Sequence, residues 1–376
     1  MAAKKSNSLS DQKKSASFIT HLVLIIICLI WFVPVFGVFV TSFRNSTNVF
    51  NSGWWAVFPH REWMQTAEVK LDDDADVNGT MTVTLPNGMT VTGDYTALKD
   101  GVSLRDGSKV QWYGAKRTRT LKVYEKKWVG IESNLTLENY KNVLTGKKIQ
   151  YTGENGETLT RNGSDLGSSF LNSITVTVPA TIIPILIAAF AAYGFAWLNF
   201  PGRKLFFSMV VAMMVVPLQI AIVPVLSDLS KVGLSGQFLG IWMAHTGFGL
   251  PLAIYLLFNY ISTIPREILE SAFIDGASNF TIFTRLILPL SVPSIASFGI
   301  FQFLWVWNDY LVSLVILGGG QKMVITQALA NIVGTRGQDW HLLTAGAFVS
   351  MIVPLIVFLS LQRYFVRGMM AGSVKG

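Results

Sequence analysis

The sequence predicts an all-α integral membrane protein, a bundle of six transmembrane helices with a β-rich insertion outside the membrane. Hydrophobic residues make up 51% of the 376 residues and charged residues only 14%, against about 25% charged residues in soluble domains. Six apolar segments each reach the roughly 20 residues that a helix needs to cross the hydrocarbon layer. A long polar segment with strand-like alternation separates the first two.

The six predicted spans differ in how sharply the sequence bounds them. They cover residues 21–41, 170–197, 206–226, 238–260, 287–316 and 342–361. Glycine and proline interrupt the fourth and fifth, so either could be broken near an end. The first is longer than the core of a signal peptide and no clear cleavage pattern follows, so we expect it to remain as a span.

Lysine and arginine in the short loops predict the orientation, because cytoplasmic loops retain positive charge. Most of them fall on one side if the N-terminus is cytoplasmic, namely Lys4, Lys5, Lys13, Lys14, Arg203, Lys204, Arg266, Arg285, Arg363, Arg367 and Lys375. Only Lys231, Lys322 and Arg336 fall in the opposite short loops. We therefore expect a cytoplasmic tail at 1–17, a first span at 18–41, an extracytoplasmic segment at 42–169, a membrane core at 170–361 and a cytoplasmic tail at 362–376.

The middle of the polar segment predicts a small β module. Residues 80–85 alternate, Asn87 and Gly88 suit a tight turn, and alternation resumes at Met89, the pattern of a hairpin. Further strands are predicted to begin at Val110 and Leu121. The alternative is a mobile charged loop, which the acidic run 72–76 favours. The residues do not indicate what this insertion does.

Enzymatic function finds no support in the residue pattern. The four histidines lie far apart and form no metal-binding pair, and the sequence has no phosphate-binding loop and no nucleophile motif. The single cysteine, Cys28, lies in an apolar run. The basic residues are scattered, which argues against nucleic acid. We therefore predict a non-catalytic chain without metal or cofactor, whose energy source, if transport is active, is another chain or an ion gradient.

The loop at 262–289, between the fourth and fifth spans, predicts two short helices bent at Asp275 and Gly276. Thr263 is a plausible N-cap, Glu267 favours the first turn, and apolar residues recur at helical spacing. Gly276 should end the first helix because glycine accepts positive φ. Ser278 or Asn279 can cap the second helix. An amphipathic element of this kind can lie on a membrane or dock into another protein.

The same loop resembles the EAA signature of binding-protein-dependent ABC permeases. The matching residues are Glu270, Ser271, Ala272, Gly276, Ile287, Leu288 and Pro289, with Ser271 where the family usually has alanine. Segments 41–44, 136–140, 172–173, 192–196, 200–203 and 307–311 are similar to the carbohydrate-uptake branch. The tail at 363–376 is similar to the second permease of maltose-type importers, and the enlarged first outer loop to the α-glucoside subgroup.

The resemblance implies an inner-membrane protein of bacteria with several partners. These are a second homologous permease, two ATP-binding subunits, an extracytoplasmic sugar-binding protein and membrane lipid. Glu270, Ser271, Ala272, Asp275, Gly276 and Pro289 would then dock an ATP-binding subunit. The alternative is a secondary transporter or channel driven by an ion gradient, which predicts internal repeats and buried carboxylates. We see no repeat, and Asp309 is the one acidic residue within the predicted spans.

Polar residues within the spans are candidates for lining a translocation path. They are Asn172, Gln219, His245, Asn308 and Asp309, and Gln302 is a further polar residue within the spans. The alternative is that each one joins neighbouring helices by hydrogen bonds.

The outer loop before the sixth span is long for a connector and opens with Gly318, Gly319 and Gly320. By the resemblance, this loop, through Asn331 and Gly334, would contact the sugar-binding protein. A flexible linker is the alternative.

Overall fold

A computed structural model describes residues 9–72, 75–131, 135–146, 148–152, 158–162, 165–334 and 339–371. The ends of the predicted tails, 1–8 and 372–376, and Arg336 lie outside the described residues. The chain divides into two compact units, Met1–Val40 with Thr47–Leu135, and Thr41–Ser46 with Thr136–Gly376.

The second unit contains most of the predicted membrane core. Its helices are α4 (Glu138–Thr145), α5 (Leu166–Trp197), α6 (Arg203–Met213), α7 (Leu218–Lys231), α8 (Phe238–Ile261), α9 (Arg266–Ile274), α10 (Asn279–Ile282), α11 (Leu288–Leu290), α12 (Val292–Trp307), α13 (Leu311–Leu317), α14 (Ile325–Gly334) and α15 (Trp340–Ala371). Strands β7 (Lys148–Thr152) and β8 (Thr158–Asn162) pair antiparallel. Asp165 caps α5 by accepting the backbone amides of Gly167 and Ser168.

Four described helices are long and apolar enough to cross a membrane, and two bent pairs raise the number to six if each pair is one span. The four include Ser17–Ser42, Leu166–Trp197, Phe238–Ile261 and Trp340–Tyr364. The prediction of a predominantly helical membrane bundle is therefore confirmed.

The third and fifth predicted spans are not single straight helices. The third consists of α6 and α7, which meet at 103°. Pro217 directly precedes α7 and lacks the N–H that would continue α6. The fifth bends by 70° between Leu290 and Val292, and its C-terminal end is the separate helix α13. We predicted that the segment at 287–316 could be broken near an end, and the structure has a break near each end, at Ser291 and at Asn308.

The core of this unit lies where α5 and α8 pack together. Small residues on α5, Ala188, Ala189 and Ala192, let α8 approach closely, and Leu257 of α8 is fully buried there. This packing of small against large residues is how membrane helices associate without a hydrophobic drive. A second cluster joins α12 and α15 around Trp307, whose indole N–H donates to the Ser350 carbonyl at 3.0 Å.

Two short motifs far apart in sequence form one polar joint at the edge of this unit. Asn139, on α4, is buried and donates its amide hydrogens to the Ser42 and Arg44 carbonyls at 2.8 and 2.9 Å. The Thr136 amide donates to the Phe43 carbonyl at 2.7 Å. Segments 41–44 and 136–140 flank the insertion, so the joint closes the chain where the insertion leaves and returns.

Replacing Asn139 with leucine is expected to lower the free energy of unfolding by about 2 kcal/mol, because two buried carbonyls lose their donor. Thermal melting of the detergent-solubilised chain measures this loss. Glu138→Leu, on the exposed side of the same helix turn, is the matched control. Equal melting temperatures for the Asn139 variant and the wild type would contradict the role of the joint.

The first unit contains nearly all of α1 (Leu9–Ser42), followed by α2 (Ser46–Asn51) and α3 (Tyr95–Asp100). Its strands are β1 (His60–Lys70), β2 (Met81–Thr84), β3 (Thr90–Gly93), β4 (Val102–Ser103), β5 (Lys109–Tyr113) and β6 (Thr120–Val129). A four-stranded sheet has the order β1-β6-β5-β4, and β2 pairs with β3. Val91, Leu98, Val110 and Leu121 form its core, each at most 1% exposed.

The predicted hairpin and the predicted strands in this insertion are confirmed. Met81 to Thr84 pair with Thr90 to Gly93, and Gly88 takes φ +80° in the turn. The predictions missed β1, which pairs with β6 along its length except at an irregularity between Gln65 and Ala67. That irregularity disrupts the alternation of apolar residues in β1, which is the signal that a strand leaves in a sequence.

Candidate functional site

The loop between α8 and α11 contains two helices joined at a tight bend. The Ala277 amide donates to the Ala272 carbonyl and the Gly276 amide to the Phe273 carbonyl, both at 3.0 Å. These bonds form a Schellman motif, which requires a residue with positive φ after the helix. Gly276 supplies it with φ +77°.

The caps of these helices agree only in part with the sequence prediction. Ser278 caps α10 as predicted, accepting the Thr281 amide at 3.2 Å. Thr263 does not cap α9, because its hydroxyl donates to the Tyr260 carbonyl and Pro265 holds the cap position. Proline can begin a helix without a capping side chain since its missing N–H would be unsatisfied there.

One face of the loop is fixed to the membrane core. Leu269 and Ile282 are 2% and 0% exposed within the α5–α8 cluster. Phe283 stacks on Phe190 of α5 at 4.3 Å between ring centroids. Tyr193, one turn along α5, donates its hydroxyl hydrogen to the Asn279 side-chain oxygen at 3.1 Å. Packed rings and a side-chain hydrogen bond therefore hold this face of the loop against α5.

The other face of the loop exposes large apolar side chains. Ile274 is 86% exposed, Phe280 66% and Phe273 49%. Glu270 forms an exposed ion pair with Arg266 at 2.9 Å, one helical turn away. Exposed apolar residues next to a charged pair are typical of a surface that another protein covers. Pro289 lies apart, in α11 just before the bend at Ser291.

Within the membrane core, the structure brings together two of the five predicted path residues. The His245 Nε2 lies 3.7 Å from the Asp309 Oδ2, and both side chains are buried. Trp305 contacts the His245 ring edge-on at 5.4 Å. The Asp309 carboxylate also accepts the Val312 and Ser313 amides and so caps α13.

The other three predicted path residues have separate surroundings. Asn172 donates to the Gln321 and Met323 carbonyls at 2.8 and 3.0 Å, so it fastens the outer loop. Asn308 lines a cavity of about 270 Å³ between α12 and α15 and donates to the Leu304 carbonyl. Gln219 is exposed on α7. Among the described residues, no hydrogen bond or ion pair joins these three side chains to His245 or Asp309.

Comparison with known families decides what kind of chain this is. Residues 169–371 match the model of the "Binding-protein-dependent transport system inner membrane component". The chain belongs to this family. The matched region contains α5 from its fourth residue onward and α6 to α15, and with them the loop at 262–289 and the His245–Asp309 pair.

Curated relatives match the permease over nearly its full length. It is 43% identical to the osmoprotective compounds uptake permease protein GgtD of Synechocystis sp., over 100% of this chain and 99% of that one. It is 42% identical to the alpha-glucoside transport system permease protein AglG of Rhizobium meliloti, over 97% and 99%. These alignments include the β-rich insertion.

A solved structure confirms the fold. The permease matches a bacterial ABC transporter involved in the import of the acidic polysaccharide alginate, with a TM-score of 0.58 over 96% of this chain and 100% of that one. The identity is 16%, so the likeness is one of fold.

The outer loop of the permease is packed over its described residues, 318–334, although three glycines open it. Gly318 and Gly320 take positive φ, but Gln327 donates to the Gly318 carbonyl. The Ile325 amide donates to the Ser173 hydroxyl at 2.8 Å, which ties α14 to α5. The buried side chains of α14 hold this part of the loop in place despite the conformational freedom of the glycines. Asn331 lies on its exposed side and Gly334 ends it.

Gln302 is a polar residue that the set of predicted path residues omitted. It is 3% exposed, and its amide donates to the Ala180 and His245 carbonyls at 3.1 and 3.4 Å. It therefore joins α12 to both α5 and α8. A glutamine within an apolar run was the available signal, but its two partners lie far away in sequence.

Gly249 makes room for Gln302, because an added Cβ would lie 2.5 Å from the glutamine Oε1. Gly249→Ala is expected to lower the melting temperature of the permease by displacing Gln302 and breaking both of its hydrogen bonds, at about 1–3 kcal/mol. Gly247→Ala on the same helix, where an added Cβ meets nothing within 4 Å, is the matched control. Equal melting of the two variants would contradict the prediction.

Proposed function

We propose that this chain is the membrane-spanning permease subunit of an ATP-driven sugar importer. It forms half of the translocation path, and a second, homologous permease forms the other half. Two ATP-binding subunits hydrolyse ATP, and an extracytoplasmic binding protein delivers the sugar. The membrane is the bacterial inner membrane, with both termini of the chain in the cytoplasm.

The observation that carries this proposal is the two-sided loop at 262–289. One face packs on α5, where Phe283 stacks on Phe190 and Asn279 accepts a hydrogen bond from Tyr193. The opposite face exposes Ile274 and Phe280. An ATP-binding subunit that covers this exposed face would move the loop as a rigid body when ATP binding closes the two ATP-binding subunits. Packed rings would pass that motion to the membrane helices, which then expose the path to the other side.

The relatives support a sugar as the cargo. AglG is named for alpha-glucoside transport, and it aligns with this chain through the insertion as well as the membrane core. We propose an α-glucoside or a related oligosaccharide. Asn308, in the cavity between α12 and α15, offers the kind of amide that hydrogen-bonds sugar hydroxyls.

The outer loop at 318–334 is proposed to contact the binding protein. Its helix α14 is anchored by Ile325 and Ala328, both fully buried, while Asn331 remains exposed. A rigid loop presents a fixed surface at lower entropic cost than a mobile linker. Asn331→Ala should weaken stimulation of ATPase activity by the binding protein and leave basal ATPase activity unchanged.

A secondary transporter driven by an ion gradient has less support. The family is defined by binding-protein-dependent transport. Asp309 is committed to capping α13 and lies beside His245, which leaves no free acidic group there to exchange an ion with water.

The docking proposal is tested by purifying the tagged permease in mild detergent and identifying the co-purifying chains by mass spectrometry. Ile274→Asp should lower the yield of ATP-binding subunits at least about tenfold, because one buried apolar side chain of this size contributes about 1.5–3 kcal/mol. Val232→Asp, which is also exposed but follows α7, is the matched control. Equal yields for the two variants would contradict docking through this face.

A further inference from the structure

One face of the antiparallel pair of strands β1 and β6, the β1–β6 pair, carries aromatic and basic residues in alternation. Residues directly opposite each other in an antiparallel pair lie on the same face. Arg61 is opposite Trp128, and Trp63 is opposite Lys126. Trp128 is 68% exposed and Trp63 40%. Large aromatic side chains on a solvent-facing strand are costly unless something covers them.

The cations on this face lie over the rings and have no acidic partner. The Arg61 guanidinium lies 5.5 Å from the Trp128 ring centroid, and the Lys126 ammonium 5.1 Å from that of Trp63. Within the described part of the chain, neither has a carboxylate within ion-pair distance. The ion pairs on these two strands, Lys127–Glu125 and His60–Glu62, lie on the opposite face.

The base of the β1–β6 pair, where His60 is opposite Val129, lies next to the end of α1. Phe36 of α1 packs against Trp54 and Phe58, at 5.9 and 6.4 Å between ring centroids. Trp54 also covers Gly37, where an added Cβ would lie 2.7 Å from the indole nitrogen. These contacts fix the chain entering β1 at the level of Phe36.

The length of α1 gives the depth of that level. The apolar part of α1, Ser17–Ser42, has 26 residues and is therefore about 39 Å long, against about 30 Å of hydrocarbon. Centred in the bilayer, it places Phe36 about 4–5 Å inside the hydrocarbon boundary. Arg61 follows Phe58 by three residues and can rise at most about 10 Å above it. On this placement Arg61, with Trp128 opposite it, reaches at most about 5–6 Å beyond the hydrocarbon boundary, which is within a headgroup layer about 5–7 Å thick.

We propose that the base of the β1–β6 pair is a binding site for anionic phospholipid headgroups. Arg61 and Lys126 bind the lipid phosphate, and Trp63 and Trp128 insert among the headgroups beside them. Aromatic rings and long cationic side chains are the residues that proteins place at this depth. The site would anchor the insertion on the membrane surface. It depends on α1 crossing the bilayer and is independent of the transported substrate.

The cations also favour a phosphate over a sugar as the ligand of this face. A sugar ring stacks on an open aromatic face, whereas here Arg61 and Lys126 each cover one face of a ring. Two cations on one face of the β1–β6 pair, with no ion-pair partner among the described residues, can instead both bind one phosphate group.

A measurement of depth in the bilayer tests the placement of the β1–β6 pair. A cysteine replaces Glu62, exposed between Arg61 and Trp63 in β1, in a full-length Cys28→Ser chain and carries a fluorophore in phospholipid vesicles. Lipids with a nitroxide on the headgroup should quench it at least about twofold more strongly than a fluorophore at Thr92, in the β2–β3 hairpin. Equal quenching at both positions would overturn the proposal.

Lipid titration tests the chemistry. Added phosphatidylglycerol should raise the melting temperature of the full-length chain in detergent, and phosphatidylcholine or inorganic phosphate should not. Arg61→Gln with Lys126→Gln should weaken the apparent affinity for phosphatidylglycerol about 30-fold, or roughly fivefold for each cation. Lys109→Gln with Lys122→Gln, higher on the same sheet face, should leave it within about twofold. Equal losses in both double variants, or an equal response to free phosphate, would overturn the site.

Discussion

Gly276→Val is expected to reduce sugar uptake at least about tenfold, because a β-branched residue at positive φ costs more than the 1–2 kcal/mol of an ordinary L-residue. Gly276 has φ +77° and closes the Schellman motif that ends α9. An added Cβ would meet nothing within 4 Å, so the effect acts through the backbone and not through a clash. The valine variant should relax to negative φ and turn the exposed Ile274 away from its partner.

Gly276→Asn separates backbone strain from the loss of a small residue. Asparagine tolerates the left-handed region, so this variant should retain most of the uptake. Sugar uptake by cells and the abundance of the chain in the membrane are both measured. The loop lies outside the predicted spans, so abundance should be unchanged in both variants. Equal uptake by the valine and asparagine variants would show that the bend does not depend on positive φ.

Asp309→Ala is expected to lower the free energy of unfolding by about 3 kcal/mol, because it removes a helix cap and charge-assisted hydrogen bonds together. The carboxylate accepts the Ser313 amide and hydroxyl at 2.9 and 3.0 Å and the Val312 amide at 3.2 Å. Its loss also removes the carboxylate beside the buried His245. The corner between α12 and α13 should then open.

Asp309→Asn is the matched control for this prediction. Its amide oxygen can still cap α13, so it should recover at least half of the lost stability. Thermal melting of the solubilised chain measures both variants, and the double variant with His245→Ala measures the coupling between the two side chains. An alanine variant as stable as the wild type would show that the cap contributes nothing.

The membrane helices could be predicted from the sequence because span length and the scarcity of charge act locally. Four predicted spans lie inside described helices, and each helix extends beyond its predicted span by at most four residues at either end. A break near an end of the fifth was predicted from its glycines and prolines, but the break in the third was not. Pro217 was visible, but proline also occurs inside intact spans such as α8, where Pro251 leaves the helix continuous. Whether a proline breaks a span depends on which neighbours satisfy the freed carbonyls.

The docking loop was predictable in outline, since Gly276 and Ser278 act within one or two turns of their own position. The surroundings of the polar residues in the spans were not. Asn172 and Gln302 donate to carbonyls on other elements, and Asn139 joins segments that the whole insertion separates. Contacts of this range depend on helix packing, which leaves no periodic signal in one sequence. The roles of the docking and path residues stay predictions.

Uptake by proteoliposomes tests the central claim most directly. Vesicles contain this chain with its co-purified membrane partners, the binding protein lies on one side, and ATP is supplied on the side of the 262–289 loop. We predict that labelled α-glucoside accumulates only with both hydrolysable ATP and binding protein, and that ionophores do not reduce it. Accumulation without ATP that ionophores abolish would contradict the account and identify the chain as a gradient-driven transporter.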